Sequence, residues 1–340
     1  MSSGRTGVDA LLPSLLAAFG PPGREEGVRS VIQKALRGIG RARVDNSGNL
    51  HVHVPGRGPR LLLAAHMDTT GVIVTRVDSN GLGRVALLGN RPAAELVGAR
   101  VWFEGDLHAI LGVDRPKGGK DSAEIDGDAL FLDSGLTAAE AKRRLPVGTV
   151  GALSDRPERL GAFWCAANLD NRAGCAAVIA GLRAARKSRY DLHAVFTAQS
   201  ELGGRGALTS AFGIEPDFAV IVDVAALESK GADGVAPGRG PCLALKEDGY
   251  VAHPDALAVA RRAATQARIK TQWLIREGHG SDARTVRASR TGVPTVLLAI
   301  PARRTGGAAS LLHAKDLAQT AALIAQILRS GPSRAKGGRR

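Results

Sequence analysis

Four apolar runs in this chain each stop on side chains that can ligate or titrate. Leu61-Leu62-Leu63-Ala64-Ala65 runs into His66-Met67-Asp68, and residues 163–169 lead to Asp170-Asn171-Arg172-Ala173-Gly174. Ala194-Val195-Phe196-Thr197-Ala198-Gln199 leads to Ser200-Glu201-Leu202-Gly203, and Phe218-Ala219-Val220-Ile221-Val222 stops at Asp223. Near-continuous apolar strands set between helical segments are buried on both faces. They specify an α/β fold with a mostly parallel sheet covered by helices. Such folds build their sites at the carboxyl ends of the strands. One imidazole (His66) and three carboxylates (Asp170, Glu201, Asp223) converging there suit a divalent cation such as zinc, cobalt or manganese. The first expectation is therefore metal-dependent hydrolysis.

The βα rhythm is interrupted once. From Gly71 to about Leu160 the chain shows short alternating runs at 72–77, 83–88, 99–103 and 107–113, split by turn residues, and only 137–144 reads as a helix. This predicts an inserted all-β module, a small barrel or sandwich. The polar, Gly-rich stretch 116–128 reads as a loop. Outside the insert, helices are expected over 8–19, 25–37, 172–185, 205–212, 254–267, 282–289 and 314–328. Strands are expected at 60–65, 192–199, 218–223, 271–276 and 294–300. The predicted organisation is a discontinuous α/β domain (1–69 and 162–332), a β-barrel-like domain (70–161) and a disordered basic tail (333–340).

Composition narrows the partners. Across 340 residues 44% are apolar, enough for a substantial core without disulfides. The three cysteines (Cys165, Cys175, Cys242) form no paired framework, which fits a reducing, cytoplasmic setting. No run approaches the ~20 apolar residues of a membrane span. Residues 11–19 imitate a short signal-peptide core. Asp9, Pro13 and Pro21-Pro22, with no small-residue cleavage site, argue for a helix instead. The net charge of +14 invites a nucleic-acid reading. The excess is scattered or sits in the tail, and 4% aromatics are too few for stacking platforms, so nucleic acid is not an expected partner.

Together the motifs resemble a known family. They are Ala65-His66-Met67-Asp68-Thr69-Thr70-Gly71, Leu169-Asp170-Asn171-Arg172-Ala173-Gly174, Glu201-Leu202-Gly203-Gly204-Arg205-Gly206-Ala207, Gly280-Ser281-Asp282-Ala283, and Gly292-Val293-Pro294-Thr295 with Ile300-Pro301-Ala302-Arg303. In order and spacing they resemble the glutamyl-aminopeptidase and tetrahedral-aminopeptidase family of co-catalytic metallo-aminopeptidases, some of which are labelled endoglucanases. The resemblance implies peptide substrates, a zinc or cobalt cofactor (manganese also possible), and a β domain used for dimerisation within assemblies as large as dodecamers. It implies that His66 and Asp223 hold one metal, that Asp170 bridges to a second, and that Glu201 binds the second. Asp68 would orient His66 through the far ring nitrogen. Two ions ~3.5–4 Å apart lower the pKa of a bound water and polarise the scissile carbonyl.

Two positions depart from the family. Its general base is the first of two consecutive glutamates, and here the pair reads Ser200-Glu201. A hydroxyl of very high pKa takes up no proton at neutral pH, and losing a general base costs on the order of 10²–10⁴ in rate. The family's last ligand is a histidine. Reading without gaps from Pro301-Ala302-Arg303, that position is Gly306. His279 and His313 are the possible surrogates, and Asp282 matches a family acid near the site. The family's second bridging-motif Asp is Asn171 here. One or two ions per chain are expected, and one or none if the site is silent. Two functions follow as expectations. One is a metallo-aminopeptidase acting on short peptides with impaired activity. The other is an inactive homologue serving as partner or regulatory subunit, in a hetero-oligomer, of an active paralogue. A glycosidase would need a carboxylate pair across a sugar cleft, and none is evident.

Overall fold

The computed structural model describes residues 7–89, 91–114, 129–154, 156–227, 234–303 and 308–331. The expected loop 116–128, Gly306 and the tail 333–340 lie outside the described residues. The centre of the molecule is a sheet in which Asp191–Thr197, Arg60–His66, Phe218–Leu227 and Thr295–Arg303 run parallel in that order. The first core strand thus lies between the second and the third. This places a topological switch at its carboxyl end, where His66 faces Thr197 across the ladder.

Several elements differ from expectation. The Phe218–Leu227 strand continues beyond Asp223, because Thr295–Arg303 pairs with it as far as Leu227 opposite Arg303. Asp223 therefore projects from within a strand. Two antiparallel strands, Cys242–Glu247 and Ser310–His313, were not anticipated. The second passes directly into the helix Ala314–Ser330 with no turn residue to mark the change.

The sheet separates two cores. One face packs against Val8–Leu16, Glu26–Ala35, Leu169–Ala185, Pro254–Gln266 and Ala314–Ser330, and the other against Arg205–Ile214 and Asp282–Arg287. Leu61 and Leu63 enter the first core and Leu62 and Ala64 the second, the period-2 alternation of a strand covered on both sides. Each fully buried leucine contributes about 1.5–3 kcal/mol relative to exposure.

The helix expected over 8–19 ends at Leu16. Carbonyls at its end and just beyond it are bound by the fully buried Arg172, whose Nη1 donates to Leu15 O (2.6 Å) and Ala18 O (3.1 Å) and whose Nη2 donates to Gly20 O (3.2 Å).

After His66 the chain leaves for a six-stranded closed barrel. Around the ring run Gly71–Val77, Gly83–Leu88, Leu130–Asp133, Leu107–Val113, Arg100–Phe103 and Val150–Leu153. Its helix Ala138–Arg144 is entered through a capping box of Thr137 and Glu140. A second short helix, Ala93–Leu96, was not expected, and it follows Pro92 and buries Leu96 in the barrel core. Among the described residues no helix is long and apolar enough to cross a membrane.

Candidate metal centre

The strand Arg60–His66 delivers His66 to the carboxyl edge, and the adjacent strand delivers Asp223. His66 Nε2 lies 3.5 Å from Asp223 Oδ1 and 3.6 Å from Asp170 Oδ1. Donor atoms bonded at about 2.1 Å to a tetrahedral ion stand roughly 3.4 Å apart, so these three atoms fit one cation. Asp170 reaches the group because it and Asn171 depart from helical geometry at the entrance to Leu169–Ala185. Asn171 fixes that entrance. Its Nδ2 donates to Val222 O at 2.8 Å, on the strand carrying Asp223, and its Oδ1 accepts from Gly174 N at 3.1 Å.

Asp68 works differently from the expectation. The nearer partner of His66 Nδ1 is the main-chain carbonyl of Asp68, at 3.0 Å, with the carboxylate at 3.5 Å. The carboxylate instead accepts the amides of Ser200 (3.0 Å) and Glu201 (2.9 Å). It thereby ties the turn Ser200–Leu202 to the histidine. Burial opposes an imidazolium at His66, yet the carboxylates of Asp170, Asp223 and Asp68 hold its pKa well above the ordinary value. Burial pushes Asp223 up. Asp170 falls far below the carboxylate range, since contacts with His66 and Arg91 outweigh its desolvation.

Ser200 lines the same cleft, a cavity of about 320 Å³. Its Oγ donates to Asp282 Oδ1 at 2.6 Å, and Thr197 Oγ1 donates to Asp282 Oδ2 at 2.7 Å. Asp282 is thus a buried acceptor behind the cleft wall. Glu201 faces the cleft, where burial pushes its pKa up to about 7 against the opposing charge of Arg91. His279 also lines the cleft.

His313 does not reach it. As the last residue of Ser310–His313 it caps Ala314–Ser330, accepting from Lys315 N, and its ring meets Phe163 edge-on. The expectation of a surrogate ligand there is corrected, because its backbone is paired with the strand Phe163–Ala166 towards the far side of the sheet.

Arg91 was not among the expected site residues. It belongs to the inserted module, yet its Nη2 lies 2.6 Å from Asp170 Oδ2 and 3.9 Å from Glu201 Oε1. His66, Asp170 and Asp223 have the spacing of one cation site, and the Arg91 guanidinium lies on the Glu201 side of Asp170. A separate cluster, His53, Asp191 and His193, has metal-ligand spacing at the opposite end of the same strands.

Glu25 was also missed. It is buried, and its Oε1 accepts from Gly23 N (2.8 Å) and Gln199 N (3.1 Å). Burial, then the charge of Asp68, raises its pKa from 4.5 to about 7. The folded state thus keeps a proton that the unfolded chain releases above its lower value. This contribution is fully present below pH 4.5 and is lost as pH rises through about 7. Glu25→Gln is expected to gain about 2–3 kcal/mol relative to wild type on going from pH 4.5 to pH 8, read by urea unfolding. An equal difference between the two proteins at both pH values would contradict the buried-proton account.

Comparison with known proteins agrees with this architecture. Lysyl aminopeptidase of Pyrococcus furiosus is 27% identical over 334 residues, covering 94% of this chain and 96% of that protein. Aminopeptidase APDkam598 of Desulfurococcus kamchatkensis superimposes with a TM-score of 0.89 at 24% identity, covering 97% of this chain and 98% of its own. The Pyrococcus horikoshii TET1 peptidase, which assembles into a tetrahedron or a large octahedral shell, gives a TM-score of 0.84 at 24% identity, covering 95% and 99%. These two structures share the fold. The profile of the M42 glutamyl aminopeptidase family matches residues 48–323, and the chain belongs to that family.

Proposed function

We propose that this protein keeps a one-cation aminopeptidase site, held by His66, Asp170 and Asp223, that binds the amino ends of short peptides and turns them over poorly. Zinc or cobalt suits one nitrogen and two oxygen donors, and manganese is also compatible. Such an ion supplies Lewis-acid polarisation and an acidified water when bound. The chain's own part is orientation and proton movement. The Asp68 carbonyl holds His66 Nδ1, and the Asp68 carboxylate positions the turn carrying Ser200 and Glu201.

The observation that carries the reading is Ser200. At the position of the family's base stands a hydroxyl already committed to Asp282 at 2.6 Å. It has no capacity to accept a proton and pass it to a leaving amine. Purified protein supplied with zinc, cobalt or manganese is expected to release p-nitroaniline from aminoacyl p-nitroanilides at a residual rate, on the order of 10²–10⁴ below that of the Ser200→Glu protein, and Asp170→Ala is expected to abolish it. A wild-type rate within tenfold of the Ser200→Glu rate would reject the reading.

The same substitution supports a second reading, in which the chain is a silent partner or regulatory subunit of an active paralogue. The large assembly of the TET1 neighbour supports a homo-oligomer built from dimers, up to a dodecamer, with the inserted domain (70–161) as the dimerisation unit on the α/β domain (1–69 and 162–332). The three cysteines form no disulfide among the described residues, which supports a cytoplasmic location.

A further inference from the structure

We infer that the guanidinium of Arg91 is a built-in cation that takes the place of a second metal ion between Asp170 and Glu201, so that the cleft accepts at most one ion. The division of the Asp170 carboxylate supports this. Oδ1 faces His66 Nε2 at 3.6 Å, and Oδ2 is hydrogen-bonded to Arg91 Nη2 at 2.6 Å. One carboxylate thus serves two positive centres, as a bridging ligand does, and the second centre is a side chain. The same Nη2 lies 3.9 Å from Glu201 Oε1, while Glu201 Oε2 accepts from Thr70 Oγ1 at 3.3 Å.

The three charged side chains are well shielded, with exposures of 17% for Arg91, 16% for Asp170 and 10% for Glu201. A guanidinium keeps its charge at every physiological pH and presents donors in a fixed plane. A metal ion would need the oxygen that its N–H already occupies. The backbone is shaped to bring Arg91 in. Gly89 has φ +141°, and a Cβ there would stand 2.8 Å from Glu201 Oε2 and 3.2 Å from Thr70 Oγ1. Only a glycine lets the segment before Arg91 press this closely on Glu201.

The inference rests on the reading of His66, Asp170 and Asp223 as a cation site, and the test separates the two. Equilibrium dialysis of the full chain against manganese, with metal per chain read by elemental analysis, compares wild type with Arg91→Ala. Arg91→Lys and the pair Arg91→Ala with Glu201→Gln are the controls. Arg91→Ala is expected to bind one ion more than wild type, at an affinity at least tenfold above any further binding in wild type. Arg91→Lys, which keeps the charge, is expected to match wild type, and the pair is expected to lose the added ion.

Two ions in wild type, or no gain in Arg91→Ala, would overturn the inference. A wild type with no ion at all would overturn the His66 trio as a cation site. The difference between wild type and Arg91→Ala would still decide the role of Arg91. Should Arg91→Ala be recovered unfolded by circular dichroism, Arg91→Gln carries the same expectation with a longer, uncharged side chain.

Discussion

Ser200→Glu is expected to raise aminoacyl p-nitroanilide hydrolysis in the presence of zinc or cobalt by on the order of 10²–10⁴. That range corresponds to about 3–5 kcal/mol of barrier. The position suits a base. Ser200 lines the cleft, and its Oγ sits 2.6 Å from a carboxylate oxygen of Asp282. A glutamate introduced there meets the same burial that lifts the pKa of Glu201 to about 7 and raises that of Asp282. Proton transfer is most efficient when the base titrates near the working pH. Ser200→Gln, of equal size but unable to take a proton, is the control and should leave the rate unchanged. A rise below tenfold in a folded Ser200→Glu protein would show that the base does not limit turnover. The missing second cation would then be the remaining deficit. In that case Gly306→His is expected to help only in combination with Arg91→Ala. Two like unit charges 4 Å apart repel by about 4 kcal/mol at an effective dielectric of 20, and a divalent ion doubles that.

Arg172→Met is expected to destabilise the fold by about 3–5 kcal/mol. The side chain is fully buried and its donors go to the main-chain carbonyls of Leu15, Ala18 and Gly20. Hydrogen bonds from a charged donor contribute about 1.5–3 kcal/mol each, and removing the donor leaves Leu15 O and Gly20 O with only the longer main-chain bonds from Ala18 N and Thr69 N, both 3.3 Å. Desolvation brings the Arg172 pKa down to about 10, so the group is still charged at neutral pH. At roughly 2–4 °C per kcal/mol for a chain somewhat smaller than this one, the melting temperature should fall by on the order of 10 °C. A loss below 1 kcal/mol in urea titration would mean that water or a rearranged helix end replaces the guanidinium.

Which residues could be read from the sequence follows from how each is placed. His66, Asp170 and Glu201 stand where apolar runs end, and that pattern alone locates a strand edge. Asp223 closes an apolar run in the same way, although its strand continues to Leu227. Arg91 could not be found. It lies in Leu88-Gly89-Asn90-Arg91-Pro92, between a barrel strand and a short helix, with no periodicity to give it a face. Its partners are distant in sequence, and only the return of the barrel to the cleft brings them together. Glu25 was hidden by its position next to a helix start, where an acid ordinarily faces solvent. The barrel itself was legible from its alternating runs. The strand Cys242–Glu247 was not, because Cys242-Leu243-Ala244-Leu245-Lys246-Glu247 alternates too weakly to separate strand from loop.

The closed ring of the inserted module limits how anything can attach to it. Among the described residues each of its six strands has two neighbours, so no strand presents a wholly unpaired edge for strand addition. A docking protein would therefore grip side chains, and Val97, Ile110, Val147 and Leu160 are exposed large apolar ones among the described residues of this domain. Attachment of that kind is adjustable by single substitutions and leaves the ring's own hydrogen bonding undisturbed.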